Sequence, residues 1–120
     1  LLVEDDQVSA VAGVALLGRH GADVAHAQSG REALAVLSGQ AFDLVLMDVQ
    51  MQDMDGIEVT RRIREGAAGT DAGNVPVIAL TACAMAGDRE RFLAAGMNGY
   101  VAKPMDIREM LRVAGQILRN

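Results

Sequence analysis

The chain has 120 residues, a formal net charge of −5 and one cysteine. That length suits one domain able to bury roughly two-thirds of its unfolded surface. The charge argues against direct nucleic-acid binding, which needs clustered Lys and Arg. Cys83 alone allows neither an internal disulfide nor a cysteine metal cage, as befits a reducing cytoplasm. No apolar stretch approaches the ~20 residues of a membrane span, and none of these residues reads as a signal peptide. The chain opens at Leu1 inside an apparent strand, so it reads as a segment excised from a longer protein.

Apolar runs alternate with helix-period segments along the whole length. Leu1–Glu4 reads as a strand ending in the acidic triplet Glu4-Asp5-Asp6. Gln7–His20 follows with a helical stripe at Val8, Val11, Ala12, Ala15 and Leu16, stopped by Gly21, and Asp6 suits its N-cap. Val24–His26 is a short strand. Ser29 and Glu32 have capping-box spacing before a helix whose Ala33, Leu34 and Leu37 face inward up to Gly39. Asp43–Met47 is a strand ending at Asp48, followed by a loop rich in Asp and Met.

Gly56–Glu65 reads as a third helix with Ile57, Val59 and Ile63 inward, and Gly66–Asn74 as a connection. Val75–Leu80 is a strand ending at Thr81, with Pro76 near its start. Met85–Ala95 reads as a helix closed by Gly96, and Gly99–Ala102 as a strand ending at Lys103-Pro104. Asp106 and Glu109 open a last helix with Ile107, Met110, Leu111, Ala114, Ile117 and Leu118 on one stripe. Five βα units in strict alternation predict a doubly wound α/β fold, a five-stranded parallel sheet with helices on both faces.

Ligands of such sheets bind just beyond the carboxyl ends of the strands. Four of the five strands end there in a group with chemistry: Glu4-Asp5, Asp48, Thr81 and Lys103; only Val24–His26 does not. Neighbouring carboxylates repel one another unless a cation intervenes, and oxygen donors favour a hard divalent ion, Mg²⁺ first. Asp5 is the expected direct ligand, with Glu4 acting through water or hydrogen bonds. A carboxylate such as Asp48 is a competent phosphoryl acceptor, and an ion, the Lys103 ammonium and the Thr81 hydroxyl suit the three phosphoryl oxygens. Lys103-Pro104 is an X-Pro bond, the kind that can be cis and so turn the lysine over the site.

LLVEDD, DLVLMDVQMQDMDG, VPVIALTA and GYVAKP together resemble the receiver domain of two-component response regulators, over nearly the whole chain. The resemblance implies a (βα)5 flavodoxin-like receiver fold. It implies Asp48 as phosphoacceptor, loaded from the histidine of a kinase or histidine phosphotransfer protein. Mg²⁺ would be held by Asp5, Asp48 and the backbone carbonyl of Gln50, with Glu4 in indirect support. Thr81 and Tyr100 would move together as the switch, and Lys103 would pair with the phosphoryl group. The surface remodelled would be the fourth helix, fifth strand and fifth helix, roughly Met85–Gly96, Asn98–Ala102 and Met105–Arg119, a face that also suits a homodimer. TACAMAGDRERFLAAGMNGYVAKP is most similar to receivers fused to hybrid sensor histidine kinases, which implies a cytoplasmic domain, tethered where the kinase is a membrane sensor.

The chain departs from the family in having Gln52 at a position usually held by proline, which is expected to free the loop after Asp48. Gln50 and Cys83 stand where the family tunes phosphoryl lifetime; Cys83 reads as a small side chain beside the site rather than a reactive thiol. His20 and His26 read as isolated surface residues, the Met47–Met54 stretch as packing, and Arg61, Arg62 and Arg64 as a solvated helix face. An enzyme alternative is a small Mg²⁺-dependent phosphohydrolase with an Asp48 aspartyl-phosphate intermediate. It would need a second acid to assist water and a cap over the substrate, and the chain has no spare segment for either. A flavodoxin-like cofactor binder fits poorly, because the loop after the first strand is acidic and Tyr100 is the lone tyrosine, with no tryptophan.

Overall fold

A computed structural model of the chain describes residues 1–82 and 85–118; Cys83, whose side chain was expected beside the site, and Arg119 lie outside them. Among the described residues five strands form one parallel sheet in the order β2-β1-β3-β4-β5, where β1 is Leu2–Val3, β2 His26–Ala27, β3 Val45–Asp48, β4 Val77–Thr81 and β5 Gly99–Ala102. The helices between them are α1 Gln7–Arg19, α2 Gly30–Gly39, α3 Gly56–Arg64, α4 Asp88–Ala95 and α5 Ile107–Leu118. A 3-10 turn at Asp71–Asn74 lies within the Gly/Ala-rich connection.

The near-continuous apolar strands feed two cores. In β3 and β4, Val45, Met47, Val77 and Ala79 point to a core closed by Ala33 and Leu37 of α2, Val59 and Ile63 of α3 and Phe92 of α4. Leu46, Ile78 and Leu80 point to the opposite core, with Leu17 of α1 and Met110 and Val113 of α5. Both faces of the sheet are therefore covered, as a parallel sheet requires.

Local chemistry sets the helix ends. Asp6 accepts the Ser9 N–H at 2.9 Å, Ser29 accepts that of Glu32 at 3.1 Å, and the Glu32 carboxylate accepts the Gln28 N–H. Asp106 takes the N–H groups of Arg108 and Glu109. The fourth helix is shorter than its apolar pattern implies. It begins at Asp88 because Gly87 sits at φ +90°, outside the helical region, and Asp88 takes the Met85 N–H at 2.8 Å. The second, third and fourth strands each begin about two residues later than expected.

The first helix faces the opposite way from the expected stripe. Ala10, Gly13 and Leu17 are buried, whereas Val8 and Val11 are 78% and 67% exposed. Both sets satisfy helical spacing, and the small one is buried because α1 lies close to the sheet. A side chain on Gly13 would meet Leu2 Cδ2 at 3.0 Å.

Arg64 is not on a solvated face either. Its guanidinium donates to the carbonyls of Gly96, Gly73 and Val75 and to Asn98 Oδ1, at 2.7 to 3.0 Å. Arg61 and Arg62 do lie on the surface, paired with Glu58. His26 is half-buried, with Nε2 2.8 Å from the Glu4 carbonyl, and so is not isolated.

Candidate phosphoacceptor and metal site

The strand order reverses between β1 and β3, and the acids sit at that point. Glu4 and Asp5 directly follow β1, and Asp48 is the last residue of β3. Ligand oxygens of Glu4, Asp5 and Asp48 all lie within 4.8 Å of one another. Glu4 and Asp48 are buried, at 2% and 3% exposure, because each continues a strand that is covered on both faces.

Lys103 follows β5, and its side chain reaches past the end of β4 to both buried acids. Its Nζ stands 2.7 Å from Glu4 Oε1 and 3.1 Å from Asp48 Oδ2. The Lys103 N–H is tied to the Thr81 carbonyl at 2.8 Å, which fixes where the side chain departs. The Lys103–Pro104 bond is cis. A cleft of about 520 Å³ opens beside these groups, lined by Glu4, Val8, Ala12, Lys103 and Pro104 among others.

Burial lifts the Asp48 carboxyl, the adjoining Glu4 adds to the effect, and Lys103 only partly offsets it, so its pKa is pushed up to about 6. For Glu4 burial acts upward too, but hydrogen bonds to Asp48 and Lys103 outweigh it and hold this carboxyl below its ordinary value. Burial disfavours the Lys103 charge, and the two carboxylates more than compensate, leaving its pKa raised.

The donor set fits a hard divalent cation. It offers oxygen ligands only, from three carboxyl groups facing one ammonium. Asp5 is the most open of the three acids. Thr81 ends β4, buried, with its neighbour across the sheet at Ala102. Tyr100 is 36% exposed on β5, its ring 5.9 Å from that of Phe92. Gln50 enters the site through its N–H, which donates to Asp48 Oδ1 at 3.1 Å.

The loop after Asp48 is tied at several points, whereas the missing proline was expected to free it. The Gln52 N–H donates to Asp5 Oδ2 at 3.0 Å, and Asp53 accepts the N–H groups of Gly30 and Arg31 at the start of α2. Asp55 caps α3 through Glu58 N–H at 2.8 Å. The bonds of Gln52 and Asp53 join residues distant in the chain, which is why sequence reasoning missed them; the Asp55 cap is local. Met51 and Met54 pack against the core, as expected of the methionine-rich stretch.

Residues 1–114 match the response regulator receiver domain family. The chain belongs to that family. It is 39% identical, over its full length, to part of the sensor protein GacS of Pseudomonas syringae. It is 40% identical over 92% of its length to part of the autoinducer 2 sensor kinase/phosphatase LuxQ of Vibrio vulnificus. The chain spans only about 14% and 12% of those two proteins. Its relatives are thus receiver domains of hybrid sensor histidine kinases. Among solved structures it is similar to the receiver domain of the sensor histidine kinase PA1611 of Pseudomonas aeruginosa, with 39% identity and a TM-score of 0.86, covering 99% of this chain and 95% of that one. That structure has a magnesium ion coordinated in its active-site cleft. The chemotaxis protein CheY4 of Vibrio cholerae superposes with a TM-score of 0.87 at 26% identity, covering 97% and 94% of the two chains. The receiver fold and the two-component assignment therefore hold for this chain.

Proposed function

We propose that this receiver is a Mg²⁺-dependent phosphoacceptor, loaded on Asp48 by the phosphohistidine of a histidine kinase or histidine phosphotransfer protein. One observation carries the reading: the Lys103 ammonium bridges Glu4 and Asp48, with Asp5 within ligand distance of both acids. A carboxylate oxygen of Asp48 attacks phosphorus, the P–N bond breaks, and its electron pair returns to the imidazole. The product is an acyl phosphate. When bound, the ion would be held by Asp5, Asp48 and the Gln50 carbonyl, with Glu4 in indirect support, and would neutralise phosphoryl charge. Lys103 exchanges its contact with Asp48 Oδ2 for a phosphoryl oxygen, and Thr81 donates its hydroxyl to another.

The signal leaves through a second pair of movements. As Thr81 turns toward the phosphoryl group, Tyr100 swings inward and the α4-β5-α5 face takes its second arrangement. That face then meets an output partner or a second copy of this chain. The donor approaches from the cleft side, where Val8 and Ala12 of α1 and Pro104 border Glu4 and Lys103. Residues 1–120 act here as one receiver unit of a longer cytoplasmic signalling chain, with no catalysis beyond gaining and losing its own phosphoryl group.

Phosphoryl transfer tests the proposal. A histidine phosphotransfer domain labelled on its histidine should pass label to this chain with Mg²⁺ present, in an alkali-labile bond. Asp48→Asn should abolish transfer. Label that persists in that variant would overturn the assignment of Asp48.

A further inference from the structure

We infer that the backbone N–H of Gln52 holds Asp5 in position for a divalent cation, so that this loop residue sets the affinity of the acidic cluster. The inference rests on the Mg²⁺ reading above. Two N–H groups of one loop, two residues apart, each hold one acid of the cluster: that of Gln50 holds Asp48 Oδ1, and that of Gln52 holds Asp5 Oδ2. Gln52 itself is exposed, and water could satisfy its N–H at no cost, yet the group bonds across 47 positions of sequence.

The bond occupies one carboxylate oxygen and leaves the lone pairs of Oδ1 for an ion. It does two things for a ligand. It removes rotational freedom from the Asp5 side chain before an ion arrives, and its dipole offsets repulsion from Glu4 and Asp48. The loop can hold this N–H steady because Asp53, the next residue, is fastened to Gly30 and Arg31. Proline has no N–H to donate, so a receiver with the usual proline here lacks this bond, and Gln52→Pro deletes it while Gln52→Ala keeps it.

Mg²⁺ titration calorimetry at pH 8 on the native chain and both variants tests the inference. Gln52→Pro should bind Mg²⁺ roughly tenfold more weakly than Gln52→Ala, the loss typical when a ligand's outer hydrogen bond is removed. Equal affinities of the two variants would overturn it. A second measurement needs no variant: deuterium exchange of the Gln52 amide, followed by NMR in the native chain. Protection that persists at saturating Mg²⁺ is expected, and exchange at the open-chain rate, or protection lost on adding Mg²⁺, would overturn the inference even if the proline variant does not fold. A native chain that binds no Mg²⁺ would overturn the phosphoacceptor reading and this inference with it. Native binding with indistinguishable variants would overturn this inference alone.

Discussion

Gly56, the first residue of α3, packs directly against the backbone carbonyl of Asp48. A side chain there would collide with that carbonyl and come within 2.8 Å of Met47 Cγ. The Gly56 N–H also donates to Val49 O at 2.9 Å, so the chain returns from the loop onto the residue that directly follows the acid. The obstacle is backbone and cannot turn aside. Gly56→Ala should therefore destabilise the domain by about 2–3 kcal/mol, although alanine favours helix by about 1 kcal/mol. Urea unfolding measures the loss, and an unchanged midpoint would contradict this packing.

Lys103 pairs its ammonium with two buried acids at once. Lys103→Met should cost about 2–3 kcal/mol at pH 8 without metal, because Glu4 and Asp48 are left facing each other unpaired. Saturating Mg²⁺ should restore part of that loss by supplying charge to the same oxygens. Denaturant unfolding with and without Mg²⁺ separates the two cases.

Mg²⁺ binding should depend on pH through Asp48. Its pKa of about 6 lies above the value it has in an unfolded chain, so folding takes up a proton between about pH 4 and pH 6. The stability this group lends is present at the acid end of that window and lost as pH rises through 6. An ion requires the deprotonated form. Affinity should therefore be level above pH 7 and fall about tenfold per pH unit below 6. Calorimetry at pH 6 in buffers of different ionisation heat should show about half a proton released per ion bound, since Asp48 is half protonated there.

Arg64 ties the end of α3 to the end of α4 and the start of β5. Arg64→Ala leaves the carbonyls of Gly96, Gly73 and Val75 without its hydrogen bonds, and should cost about 2–4 kcal/mol. Arg64→Lys should not rescue it, since an ammonium cannot match the planar fork that reaches Gly96 and Val75 together. Thermal unfolding of the two variants checks this.

How far the sequence predicts the fold depends on the range of the interaction. The caps at Asp6, Ser29 and Asp106 are local, and their residues announce them. Asp48, Thr81 and Lys103 could be placed at one edge because parallel strands that end in polar groups leave no other arrangement. The orientation of α1 was not legible, because two faces of that helix satisfy the same spacing and only close packing on Leu2 decides between them. The tether from Gln52 to Asp5 and the clamp by Arg64 join residues far apart in the chain, and they use backbone groups, an N–H that any residue but proline supplies and carbonyls that all carry. Composition and periodicity hold no trace of either.

The central claim is that Asp48 accepts a phosphoryl group with the help of Mg²⁺. Intact-protein mass after incubation with Mg²⁺ and acetyl phosphate tests it most directly, with Asp48→Asn and a Mg²⁺-free sample alongside. The account predicts the gain of one phosphoryl mass by the native chain and none in either control. An unmodified native chain that also releases no phosphate from the donor would contradict it.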